Sequence, residues 1–254
     1  MNFINYRLPN KTDNHDDMDT SNKFIKNKLK LGKEWEYYDK DVKYIFNDQG
    51  FRGSTNVADY DWENSIVFFG DSCVFGCGLA EEDTVPKQVE KILGIPTINL
   101  AISGSAIDLS FNNSLVLKKH YPKPKAIVHF WTDADRYTDF REPSERIKTN
   151  RYLSKTPGYV ARINWGCRSD IYVEAEREIW KDSVPRYEAT FTQDSHKRYN
   201  VDYIPTIDLA RDRFHPGTKT CKEAAISVIN NLKDKIWFHT TAGIENTKKI
   251  NKTT

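Results

Sequence analysis

The chain has 254 residues, enough for one large domain or two small ones. Its 38 basic and 36 acidic side chains leave a net charge of +2, which gives no electrostatic footprint for nucleic acid. No apolar run approaches a membrane span, and the opening "MNFINYRLPN" is polar by its sixth residue. Neither a span nor a secretory segment is expected, so a cytoplasmic protein is the default, with attachment to a particle or surface left open.

Residues 1–45 read as an N-terminal arm. The first 35 or so are rich in Asn, Asp and Lys and are expected to be mobile or loosely docked. Alternating aromatics in "EWEYYDKDVKYIFNDQGFRG" (34–53) suggest a short hairpin or an extended strap. A domain is expected over 46–240. "SIVFF" (65–69) is a short apolar run, the pattern of a strand buried on both faces. "TVPKQVEKILG" (84–94) reads as a helix capped by Thr84, with Pro86 in its first turn, Gly94 at its stop, and Val85, Val89, Ile92 and Leu93 on one face. "TINLAI" (97–102) is a second strand. "SAIDLSFNNSLVLKKHY" (105–121) is a second helix, with Ile107, Phe111 and Leu115 as its apolar stripe. "AIVHFW" (126–131) is a third strand. Strands and helices alternating over short connections make βαβ units, hence a doubly wound parallel sheet.

The period then fails. Residues 141–200 read as a loop-rich insertion or small subdomain. "VDYIPTID" (201–208) reads as a further strand, followed by a turn and a long helix. Thr220 and Glu223 have capping-box spacing, and Ala225, Val228, Ile229, Leu232 and Ile236 form the helix's apolar stripe. Residues 241–254 read as a polar tail.

Ligands of open parallel sheets sit beyond the carboxyl ends of the strands. Polar clusters fall at those ends: Gly70-Asp71-Ser72, Ser103-Gly104-Ser105, Thr132-Asp133-Ala134-Asp135-Arg136 and Asp212-Arg213-Phe214-His215. A serine hydroxyl needs a base. His215 can be that base for Ser72, and Asp212, three residues earlier, can orient the imidazole. The backbone N–H groups of Ser72 and Gly104 could hold an oxyanion. Arg52 reads as an ion-pair partner pinning the strap, and His129 as a core histidine. Cys73 and Cys77 lack a second ligand pair, so no metal is expected. "GDSCVFGCG" lacks dinucleotide spacing and no phosphate-loop lysine follows, so no cofactor is expected.

"GDSCVFGCG", "NLAISGSAID" and "DRFHPG" resemble, in order, the serine, glycine and Asp-x-x-His-Pro blocks of the SGNH, or GDSL, hydrolases. "FNDQGFRG" is similar to a lead-in found in some branches. The resemblance covers residues 46–136 and 201–236. It implies a flavodoxin-like three-layer α/β/α sandwich, a Ser72–His215–Asp212 triad, Gly104 as an oxyanion donor and acyl-ester chemistry. One block departs. Where the family has Gly-x-Asn-Asp, this chain has "FWTDADR", which puts Asp133 at the place of the oxyanion-donating Asn. Three outcomes are open: Asp133 is protonated, Arg136 supplies positive charge instead, or hydrolysis is weak or absent. Asp71, Trp131 and Arg136 are expected to contact substrate, with Trp131 narrowing the cleft or stacking on a sugar. The expected function is a serine esterase acting on an O-acyl group, acetyl first, of a carbohydrate. The alternatives are a sugar O-acetyltransferase on the same fold and a catalytically weakened glycan-binding module. The partner in each case is a small-molecule or glycan ester.

Overall fold

In the computed structural model, which describes residues 2–138, 160–162 and 166–237, strand β3 (Ile66–Phe69) is buried at all four positions. Side chains alternate across a strand, so Ile66 and Phe68 enter one core while Val67 and Phe69 enter another. That double burial explains the unbroken apolar run. β3 pairs in parallel with β4 (Thr97–Asn99) on one side and β5 (Ala126–Phe130) on the other. β6 (Arg136–Thr138) and β7 (Val160–Arg162) pair antiparallel as a separate two-stranded sheet. β5 pairs in parallel with β8 (Arg186–Thr190), and β8 with β9 (Asp202–Tyr203). The order β4-β3-β5-β8-β9 is the 2-1-3-4-5 order of flavodoxin-like sheets. One face is covered by α3 (Val85–Leu93) and α7 (Thr218–Trp237), the other by α4 (Ile107–His120) and α5 (Gly166–Trp180). The fold is the expected α/β/α sandwich.

The stretch from 166 to 200 is not an insertion. It supplies α5, the inner strand β8 and α6 (Gln193–Tyr199). The strand "RYEAT" hides from a hydrophobic pattern because its polar residues pair with one another. Glu188 accepts from Arg177 Nη2 (2.8 Å) and Trp131 Nε1 (3.1 Å), and also pairs with Arg186. In α5, Glu176 is fully buried, its Oε1 2.8 Å from His129 Nε2 and 2.9 Å from Ser114 Oγ. His129 is thus a core residue, as expected. Residues 141–159 and the tail 241–254 lie outside the described residues.

Helix details differ from the pattern. Leu115 is exposed and Phe111 is half-buried against Tyr172; α4 buries Ile107, Asp108, Leu109, Asn113, Ser114, Val116 and Leu117. Buried polar residues mask that stripe. Ile92 is exposed on α3. Thr220 makes no capping box, because α7 begins at Thr218 and Thr220 Oγ1 bonds Asp208 Oδ1 at 2.7 Å.

Residues 2–35 are docked, not loose. β1 (Thr12–Asp13) pairs antiparallel with β2 (Tyr44–Ile45), and α1 (Ser21–Leu31) is capped by Thr20. The charges that suggested an arm make buried contacts. Asp19 is fully buried against Arg211 and Tyr44, and Arg7 Nη1 lies 2.6 Å from Asp16 Oδ1. Arg52 pins the strap, but to carbonyls: its guanidinium donates to Lys43, Phe75, Gly76 and Leu79.

Candidate active site

Chain geometry explains why β3 stops at Gly70. A Cβ there would come within 2.7 Å of Val74 Cγ2 and 3.4 Å of the Phe130 carbonyl oxygen. The chain turns at Asp71 into the single turn α2 (Ser72–Phe75), with Asp71 Oδ1 accepting from Cys73 N at 2.9 Å. Ser72 is therefore held at the carboxyl end of an inner strand.

His215 arrives from a tight loop closed by Ala210 N to the His215 carbonyl at 2.8 Å. Asp212 Oδ1 accepts from the backbone N–H of Phe214 (3.0 Å) and His215 (3.1 Å). Its Oδ2 lies 2.6 Å from His215 Nδ1, and His215 Nε2 lies 2.8 Å from Ser72 Oγ. A carboxylate only accepts, so Nδ1 carries a proton, and Nε2 is the ring nitrogen that faces the hydroxyl. Three residues separated by up to 143 positions thus form one hydrogen-bonded line. All three are buried, Asp212 completely.

Burial opposes ionisation of Asp212, but the imidazole hydrogen bond and charge, with the two backbone N–H groups, outweigh it and hold its pKa below the usual range. Glu188 behaves alike: burial is outweighed by Arg177, Arg186 and the Trp131 indole. A carboxylate with a depressed folded pKa contributes stability that is full above its unfolded pKa, about 4. That contribution fades as pH falls through the lower folded value. Thermal melts are expected to show Tm falling below about pH 4, and Glu188→Gln to flatten that fall. An identical acid profile in the variant would remove Glu188 from this account.

Gly104 lies in a turn closed by Ser105 N to the Ile102 carbonyl at 3.0 Å, with φ +78°. A positive φ at the third position suits glycine. Ser105 Oγ donates to the Gly70 carbonyl at 3.1 Å, joining this turn to the Ser72 loop. Among the described residues, neither the Ser72 nor the Gly104 N–H has a hydrogen-bond partner.

The third loop is organised around Arg136. Asp133 Oδ2 lies 2.9 Å from Arg136 Nη2, and Arg136 Nη1 lies 3.2 Å from Asp71 Oδ2. Burial works against the Arg136 charge, but Asp71 and Asp133 outweigh it and raise its pKa. Both terminal nitrogens of Arg136 thus face carboxylates. Asp71 Oδ2 also accepts from Thr132 Oγ1 at 2.6 Å, so its carboxylate ties the first loop to the third. Trp131 cannot stack on a sugar. It is 2 % exposed, lies against His129 at 4.5 Å between ring centroids, and donates to Glu188. Its position one residue past β5 turns it into the helix layer, where Ile107, Val173 and Tyr199 surround it.

Cys77 Sγ, with donor atoms of Asp212 and His215, forms a group within 4.8 Å. Both ring nitrogens of His215 are already committed, and burial, then the carboxylates of Asp16, Asp212 and Asp19, push the thiol pKa up. The donor set does not suit a metal ion.

Solved structures that this chain resembles include GDSL lipolytic proteins and carbohydrate esterases. An acetyl xylan esterase from the rumen bacterium Butyrivibrio proteoclasticus is 12% identical with a TM-score of 0.44, the match covering 72% of this chain and 66% of that one. A carbohydrate esterase family 2 enzyme from Corynascus is 15% identical with a TM-score of 0.43, covering 74% and 71%. A lipolytic G-D-S-L family member from Veillonella parvula is 10% identical with a TM-score of 0.41, covering 65% and 96%. No protein-family model matches the sequence, and no curated protein does.

Sequence reading missed the segment that backs the site. Arg211, beside Asp212, is held by Asp19, and its carbonyl accepts from Asn27 Nδ2 at 3.1 Å. Lys23 Nζ is 3.9 Å from Asp212 Oδ2. The available signal was the acidic cluster in "NHDDMDT", which could have been matched to the arginine beside Asp212. Gly78 seats the same loop. Its φ is +79°, and a Cβ would lie 2.9 Å from Ala210 Cβ and 3.1 Å from Asp212 N. Gly78→Ala is expected to cost about 1–3 kcal/mol in a denaturant melt and to lower kcat by displacing Asp212. An unchanged kcat would mean that the loop does not depend on this seat.

Proposed function

We propose that this protein is a serine esterase of the SGNH type, cleaving an O-acyl ester, with acetyl on a carbohydrate as the substrate. Fold alone would not license this. The observation that carries it is the Ser72–His215–Asp212 hydrogen-bond line at the carboxyl rim of a parallel sheet. His215 Nε2 takes the Ser72 proton as Oγ attacks the ester carbonyl. Asp212 holds the tautomer and stabilises the imidazolium. The N–H groups of Ser72 and Gly104 receive the oxyanion. Collapse expels the alcohol, protonated by His215, and water attacking by the same route releases the acid.

The carbohydrate part is supported by polarity. A cavity of about 610 Å³ beside the third loop is lined by Asp133, Ala134, Asp135, Asp194, Lys197 and Arg198. Such a lining suits hydroxyl groups better than a long acyl chain.

A second reading is favoured by the Asp133–Arg136 pair. With a carboxylate where the family places a donating amide, a site that binds glycan and turns over slowly is the alternative. The test is acetate release from an acetylated oligosaccharide, with and without an acceptor sugar. Acetate release supports the esterase. Acetyl found on the acceptor supports transfer, and binding with neither product supports the binding module.

A further inference from the structure

We infer that the N-terminal segment positions the oxyanion-binding peptide, acting through Tyr6, Arg7 and Asp16. The inference rests on the esterase reading above and adds residues far outside its sequence blocks.

The peptide unit that carries the Gly104 N–H has the Ser103 carbonyl at its other end. A trans peptide is planar, so the direction of the carbonyl sets the opposite direction of the N–H. The Ser103 carbonyl accepts from the Tyr6 hydroxyl and from Arg7 Nη2 at 3.4 Å. The Ser103 hydroxyl donates to Asp16 Oδ2 at 2.8 Å, and Asp16 Oδ1 lies 2.6 Å from Arg7 Nη1. Tyr6, Arg7, Asp16 and Ser103 therefore close a ring of polar contacts around one side of the turn. On the other side the Gly104 N–H is unpartnered among the described residues.

This arrangement does two things. It removes rotational freedom from a peptide whose glycine would otherwise allow several orientations. It also polarises the amide, because donors on a carbonyl strengthen the N–H of the same unit through hydrogen-bond cooperativity. Both effects matter more in a site whose third loop presents Asp133 in place of a neutral donor. Tyr6 and Arg7 are positioning residues here, since they act through the peptide and not on substrate.

The test uses Tyr6→Phe in the full chain, which keeps the ring and deletes only the donor. Two quantities are measured: kcat and KM for a soluble acetyl ester, and the affinity of an alkyl boronic acid. Ser72 Oγ bonds to boron in that adduct, its proton passes to His215, and a hydroxyl oxygen of the resulting anionic, tetrahedral boronate takes the oxyanion position. The expected result is a parallel fall of about tenfold in kcat and in boronate affinity, with KM little changed, below the 10²–10³ of deleting a donor outright. Ser103→Ala, which cuts the Asp16 link, is expected to show a smaller fall in the same two quantities, and it carries the test should Tyr6→Phe not fold. Unchanged kcat and boronate affinity, or a change confined to KM, would overturn the inference while leaving the esterase intact. A wild-type protein that forms no Ser72 adduct and hydrolyses no ester overturns the esterase reading, and this inference with it.

Discussion

Ser72→Ala is expected to lower kcat on an acetyl ester by on the order of 10⁴- to 10⁶-fold, the range seen when a triad nucleophile is removed. In the proposed mechanism this hydroxyl forms the acyl bond, and its partner is His215 Nε2 at 2.8 Å. KM is expected to move little, because the substrate-facing backbone is untouched. The fold should persist: the change removes one buried hydrogen bond, worth about 1–3 kcal/mol if the imidazole nitrogen stays unsatisfied. Asp212→Asn should give a loss of about 10⁴ by reversing the imidazole tautomer, without removing the nucleophile. A folded Ser72→Ala protein with wild-type turnover would end the esterase proposal.

The largest effect on stability is expected at Asp19. This carboxylate is completely buried and Arg211 is 3 % exposed. Arg211 Nε lies 3.2 and 3.0 Å from the two carboxylate oxygens, and Nη2 lies 2.6 Å from Oδ2. Tyr44 also donates to Oδ2, at 2.7 Å. Asp19→Ala strands a buried guanidinium, and breaking one side of such a pair costs about 3–5 kcal/mol. In a domain of this size that lowers Tm by roughly 6–20 °C. Combining it with Arg211→Met should recover part of the loss, since the two residues share one interaction. Activity should fall more steeply than the folded fraction, because Arg211 is bonded in sequence to Asp212. A Tm equal to wild type would mean that the buried Asp19–Arg211 pair contributes nothing to the fold.

The same pair shows where sequence reading stops. Local composition around Asp19 is polar and charged, and that composition favours a loose arm. Its charges fold inward because their partners, Arg211 and Tyr44, come from the far end of the chain and from the strap. No local pattern encodes such a match. The inner strand β8 escaped for a related reason: Arg186 and Glu188 satisfy one another and Arg177, so a buried strand carries a surface-like sequence. Trp131 was misplaced because residue type says nothing about which side of the sheet a side chain takes just past a strand end.

Much else was already written in the chain. Short apolar runs at 65–69, 97–102 and 126–131 with amphipathic segments between them specify parallel βαβ units, because backbone hydrogen bonding and right-handed crossovers leave few alternatives. That order also places Ser72, Gly104 and Asp133 on one rim, so the catalytic proposal could be framed from sequence. Tertiary structure alone decided that His215 reaches Ser72, that Asp133 faces Arg136, and that Tyr6 and Arg7 hold the peptide of Gly104. The first and last of those contacts join residues from distant parts of the chain, and their distances follow from packing of whole layers, which no single stretch of sequence contains.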